Sequence, residues 1–163
     1  MIVAFSSRGL ADLACGSGFR RITAVDAFGD RDHPPSVENI STRRRLGLPF
    51  SDEAILTACE GRAGGGILVY GGGLENRPQL VEALGHGRLL AGNSARVLQQ
   101  ARDPGSLSSL CLEESIPFPE TLYPGEEEGA AKVLFSPGDG PCWLRKRVLS
   151  GGGAGVFEYR GER

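Results

Sequence analysis

Short apolar runs alternate with amphipathic stretches through the first hundred residues. Residues 2–5 form a four-residue apolar run of the length expected for a buried strand. Residues 10–15 have helical spacing and stop at Gly16-Ser17-Gly18. Residues 21–25 read as a second strand, closed by Asp26. Residues 51–59 read as a helix with Ser51 as its N-cap. Residues 66–70 are a third strand, and Gly71-Gly72-Gly73-Leu74-Glu75-Asn76-Arg77-Pro78 leaves its C-terminal end. Pro78 suits the first turn of a helix that continues to residue 84. Residues 88–92 are a fourth strand, after which Asn93 or Ser94 caps a helix over 95–101. The stretch 39–48 has no clear period.

Strands alternating with helices predict an α/β fold with a mostly parallel, open, Rossmann-like sheet. Ligands of such sheets sit beyond the carboxyl ends of the strands. That rim would carry Ser6-Ser7-Arg8, Asp26, the Gly71 to Glu75 segment and Asn93. Ser7, Asp26, Gly72, Glu75 and Asn93 are therefore the candidate substrate-binding residues. The first turn, Ser6-Ser7-Arg8-Gly9-Leu10-Ala11, is not G-x-G-x-x-G. Asp26 falls where a ribose-binding acid would lie, about twenty residues after that turn. Without the glycines it reads instead as a solvated residue at a strand end.

Arg102-Asp103-Pro104-Gly105 marks a domain boundary, giving domains over 1–101 and 102–163. Beyond it the sequence predicts a helix over 107–115 and an extended Ile116-Pro117-Phe118-Pro119, because residues before proline avoid the helical region. A helix over 126–134 and a turn over 136–141 follow. Cys142-Trp143-Leu144-Arg145-Lys146-Arg147 then reads as a strand ending in bases, followed by Ser150-Gly151-Gly152-Gly153-Ala154-Gly155. Such a glycine-rich loop lets backbone N–H groups approach a phosphate, and Lys146 can add a point charge. The alternative is a plain hairpin loop beside a solvated lysine. Residues 156–163 alternate apolar and polar side chains, as a strand awaiting a partner or pairing with itself in a dimer.

Net charge is -2, so no global basic field draws the chain to nucleic acid or membrane. The basic runs Arg43-Arg44-Arg45 and Arg145-Lys146-Arg147 are short. Cys15, Cys59, Cys111 and Cys142 lie far apart in sequence and form no C-x-x-C pair, as in a reduced, cytoplasmic protein. No signal peptide and no run of ~18 apolar residues is present. Asp30, Asp32 and His33 read as a solvated loop rather than metal ligands, and no metal site is expected. Ser6, Ser7 and Ser150 have no obvious histidine partner, and His33 and His86 read as surface residues, so a hydrolytic triad is not expected. A Walker P-loop is absent.

The order of these features resembles the ATP-grasp superfamily. A small Rossmann-like (pre-ATP-grasp) domain is followed by Gly92-Asn93-Ser94 and Arg102-Asp103. Ser115-Ile116-Pro117-Phe118-Pro119-Glu120-Thr121 and the lysine-bearing strand with its glycine flap come next. The resemblance implies part of an α+β ATP-grasp subdomain after the sheet, and ATP as cofactor. Lys146 would meet the phosphates, with Ser150, Gly151, Gly152, Gly153 and Gly155 closing over them. The lysine that often follows the junction aspartate is Pro104 here, so Arg102 would have to stand in or the contact is lost. The full-length form would be a carboxylate–amine ligase acting through an acyl phosphate on a small carboxylate. Its Mg²⁺ ligands follow the flap in the family and are expected outside this chain, which by itself would then be an inactive N-terminal portion. Two alternatives stay open: a stand-alone nucleotide or small-metabolite binder, and a non-catalytic subunit that docks with a separate C-terminal half.

Overall fold

The computed structural model describes residues 1–62, 64–123 and 143–159. The short apolar runs become five parallel strands: β1 (Ile2–Val3), β2 (Ile22–Asp26), β3 (Val37–Ser41), β4 (Ile67–Tyr70) and β5 (Leu89–Ala91). They pair in the order β3-β2-β1-β4-β5, the order of the first five strands of a Rossmann-like sheet. The central strand β1 aligns Val3 with Val25 on one side and with Tyr70 on the other. Chain direction reverses its march across the sheet between β1 and β4, which makes that gap the topological switch point.

Alternation along the strands divides the core between two faces. Val3, Val25 and Leu68 join α3 (Asp52–Cys59) and α4 (Pro78–Gly85) in the larger cluster, through Ile55, Leu80, Val81 and Leu84. Ile2, Ala24 and Ile22 face the other way, onto Ala11 of α1 (Arg8–Gly16). Ser51 caps α3 as its position predicts, its hydroxyl accepting from the Ala54 N–H at 3.3 Å. Ser94, rather than Asn93, caps α5 (Ala95–Arg102), accepting from Val97 N–H at 3.4 Å.

Two local features depart from the expected pattern. The ambiguous stretch is an edge strand, β3, running directly into a short helix α2 (Thr42–Arg45). Its apolar residues Val37 and Ile40 are not two apart, so alternation does not reveal it; the ladder to β2 creates it. The boundary at Arg102-Asp103-Pro104-Gly105 is not an open loop. Asp103 alone separates α5 from α6 (Pro104–Glu113), and its carboxylate caps α6 by accepting from Ser106 N–H at 2.8 Å and Ser106 Oγ at 2.7 Å.

Contacts divide the chain into two units, Met1–Gln100 and Ala101–Arg163. In the second, β6 (Trp143–Lys146) and β7 (Val156–Tyr159) form an antiparallel hairpin that pairs Lys146 with Val156. The expected helix over 126–134, the turn over 136–141, Cys142 and residues 160–163 lie outside the described residues. Among the described residues no helix is long and apolar enough to cross a membrane.

Candidate functional site

The sheet brings Ser7 and Asp26 together at its carboxyl rim. Ser7 is the residue before α1, and Asp26 is the last residue of β2. The Ser7 hydroxyl donates to Asp26 Oδ2 at 2.6 Å, and Asn39 Nδ2 donates to the same oxygen at 3.1 Å. The other carboxylate oxygen accepts from the N–H groups of Phe28 at 3.1 Å and Gly29 at 2.8 Å. His33 Nε2 completes the cluster, 3.3 Å from Asp26 Oδ2 and 3.1 Å from Ser7 Oγ.

Asp26 and Ser7 are fully buried and the His33 side chain is only 6% exposed. This corrects the reading of Asp26 as a solvated strand end and of His33 as a surface residue. It also corrects the expectation that Ser7 lacks a histidine partner. Burial opposes ionisation of Asp26, but the Ser7 hydroxyl, the Gly29 N–H, Asn39 and His33 together hold its pKa below the ordinary aspartate value. The three residues do not form a relay. A serine nucleophile needs a histidine that bridges serine and acid through different ring nitrogens. Here Nε2 faces both, Nδ1 is buried without a partner, and the serine proton is already committed to the carboxylate. The cluster pins the loops after β1 and β2 to β3.

The remaining rim candidates fall on the other side of β1. Gly72 is exposed, and its carbonyl accepts from Phe5 N–H at 2.6 Å. This bond ties the loop after β4 to the loop after β1. Glu75 folds back on its own loop, accepting from Gly73 N–H at 2.6 Å. The Asn93 carbonyl accepts from the Tyr70 hydroxyl at 2.7 Å. Ser7 and Asp26 are thus in mutual contact, while Gly72, Glu75 and Asn93 each engage a different neighbour.

Aromatic residues at the same rim carry no motif, and the sequence reading did not single them out. Phe5 packs edge-on against Phe28 at 4.9 Å and Phe50 at 5.4 Å between ring centroids. The Arg43 guanidinium lies 5.9 Å from the Phe5 ring and 5.3 Å from the Phe28 ring, and Arg77 lies 5.4 Å from Phe50. The signal that could have found them is positional: an aromatic residue just past each of two strands, and a basic run just past a third.

In the second unit, Lys146 ends β6, and residues 147–155 make the turn of the hairpin. Arg147 N–H donates to Gly155 O at 3.1 Å and Ala154 N–H to Gly151 O at 3.1 Å. Gly152, Gly153 and Gly155 have φ of 61°, 77° and 78°, a region that side chains rarely adopt. Arg102 donates from its guanidinium to the Ser150 carbonyl, so it reaches the glycine turn. Lys146 is exposed. Among the described residues, the N–H groups of Gly151, Gly152 and Gly153 make no backbone hydrogen bond.

Among the described residues no group of three or more His, Cys, Asp or Glu side chains could hold a metal ion. Asp32 pairs with Arg8 instead. No protein-family model matches the chain, and no curated protein matches it.

Proposed function

We propose that this chain is the N-terminal portion of an ATP-grasp carboxylate–amine ligase. The observation that carries the reading is a parallel sheet followed by an antiparallel hairpin with Lys146 on its first strand and a glycine turn after it. The turn suits a phosphate, because three consecutive glycines present backbone N–H groups that make no backbone hydrogen bond among the described residues. Arg102 supports the turn through the Ser150 carbonyl, as a positioning residue would, two residues before Pro104, where many ATP-grasp members carry a lysine. On this reading Lys146 holds the ATP phosphates, the turn covers them, and the rim of the parallel sheet contributes to the site of a small carboxylate.

On this reading the Mg²⁺ ligands lie outside this chain; among the described residues no group of three or more His, Cys, Asp or Glu side chains could hold a metal ion. Phosphoryl transfer relies on metal ions to neutralise the transferred group, and this chain would contribute phosphate and carboxylate binding to it.

Calorimetry of ATP binding, with and without Mg²⁺, tests the reading. The expected result is weak binding by the wild type that Lys146→Ala abolishes. A folded wild type that takes up no ATP would overturn the nucleotide clamp.

A further inference from the structure

The basic run Arg43-Arg44-Arg45 is resolved by the fold into three different settings. Arg45 points towards Glu38, with an N to O distance of 3.9 Å. Arg44 donates from Nη1 to the Gly29 carbonyl at 3.0 Å and meets no carboxylate among the described residues. Arg43 lies over the Phe28 and Phe5 rings and makes neither an ion pair nor a hydrogen bond among the described residues.

A guanidinium stacked on an aromatic face keeps its N–H edge available in its own plane. Stacking also fixes its orientation before a ligand arrives. The one buried acid nearby cannot serve as counter-ion, because both Asp26 oxygens face inward to Ser7, Asn39, Phe28 N–H and Gly29 N–H. The Phe28 and Gly29 backbone that carries these bonds is the segment on which Arg43 and Arg44 rest. The buried cluster therefore fixes the floor under two guanidiniums that meet no carboxylate among the described residues.

Position matters as much as charge. α2 begins directly at the carboxyl end of β3, and Phe5 and Phe28 follow the carboxyl ends of β1 and β2. Phe5 is 40% exposed, so apolar surface lies beside the guanidinium. A planar cationic fork beside an exposed ring suits a carboxylate on an apolar body.

We infer that Arg43, assisted by Arg44 and the exposed surface of Phe5, is the receptor for the carboxylate of a small apolar acid. Naming that acid as the ligase substrate rests on the function proposed above; binding of the carboxylate does not.

The test is a titration of the full isotope-labelled chain with benzoate, followed by NMR at the Phe28 and Gly29 amides and the Arg43 side chain. Saturable shifts at these groups are expected. Arg43→Ala should weaken them about tenfold or more, and Arg43→Lys should do nearly the same, because an ammonium keeps the charge and loses the fork. Arg45→Ala makes the same change in net charge on the same helix and should leave the affinity within about twofold. A retained spectrum outside α2 verifies folding of each variant.

The receptor is overturned if benzoate gives no saturable shift there, or if Arg45→Ala weakens binding as much as Arg43→Ala. It is also overturned if inorganic phosphate binds as well as benzoate, which would mean a simple anion contact without an apolar component. The ATP calorimetry is a separate arm. ATP binding without benzoate binding sinks the receptor and spares the ligase reading; benzoate binding without ATP binding does the reverse.

Discussion

A Cβ placed on Gly73 would lie 3.0 Å from the Phe5 Cβ and 3.3 Å from the Phe50 ring, whereas one placed on Gly152 or Gly153 would meet nothing within 4 Å. The same triglycine sequence thus occupies two physical settings. After β4 it is packed at Gly71 and Gly73: a Cβ on Gly71 would lie 3.0 Å from both Ala4 and Leu10, and Gly72 O accepts from Phe5 N–H. In the hairpin it is open, and glycine is needed there for its positive φ alone. A glycine cluster at a strand end therefore reports a backbone requirement, and that requirement can be close packing rather than ligand approach. Added Cβ atoms would find open space at both Gly152 and Gly153 of the hairpin, but after β4 only at Gly72.

The largest effect expected in the packed region comes from Asp26→Ala. It strands the Ser7 hydroxyl, the Asn39 amide and two backbone N–H groups in a buried site and should cost about 4 kcal/mol. Urea denaturation of the full chain measures it; a loss under ~1 kcal/mol would show that the cluster is not what pins the rim. Gly73→Ala comes next, at about 3 kcal/mol, because it combines an unfavourable φ of 95° with the contact to Phe5. Gly72→Ala, with open space and no positive φ, is the internal control and should stay within about 0.5 kcal/mol. Equal losses at the two positions would erase the contrast between packed and open glycines.

Acid should reveal the same cluster. The folded pKa of Asp26 is lowered, so its contribution is fully present above the ordinary value of 3.8 and is lost as pH falls through the folded value. Wild type should therefore lose stability below that range more steeply than Asp26→Asn, by up to about 1.4 kcal/mol per pH unit. Asp32, Glu38 and Asp103 also have lowered values, but they are common to both proteins and cancel in the difference. Parallel slopes would contradict the assignment. The smallest effect is expected from Gly153→Ala, about 1 kcal/mol for an unfavourable φ without a clash. Amide exchange confined to β6 and β7 reports it, and a global loss instead would mean that the hairpin turn is packed after all.

Much of the parallel sheet was legible because its physics is local. Residues 2–5, 21–25, 66–70 and 88–92 are largely apolar runs of strand length, and each of the four overlaps an observed strand. Pro78 and Ser51 announce helix starts by properties of single residues, a missing N–H and a side-chain acceptor. The edge strand β3 was not legible, because Val37-Glu38-Asn39-Ile40-Ser41 has no strand alternation and forms by pairing with β2. The rim positions of Ser7 and Asp26 followed from strand order, but their mutual hydrogen bond did not. Nineteen positions separate them, and His33 and Asn39 join from a loop and an edge strand that the pattern left undefined.

The sequence by itself determined the alternation of strands and helices, the parallel α/β class, the caps at Ser51 and Pro78, and the glycine turn beside Lys146. These depend on hydrophobic period, on proline and glycine geometry, and on side chains acting on backbone a few residues away. Only the tertiary structure decided that Asp26 is buried and saturated with donors, that Gly71 and Gly73 are packed while Gly152 and Gly153 are open, and that Arg43 lies over two rings with no ion pair among the described residues. Those outcomes depend on which strand ends become neighbours. A long-range hydrogen bond or a stacked ring has no period along the chain, so nothing in the order of residues announces it.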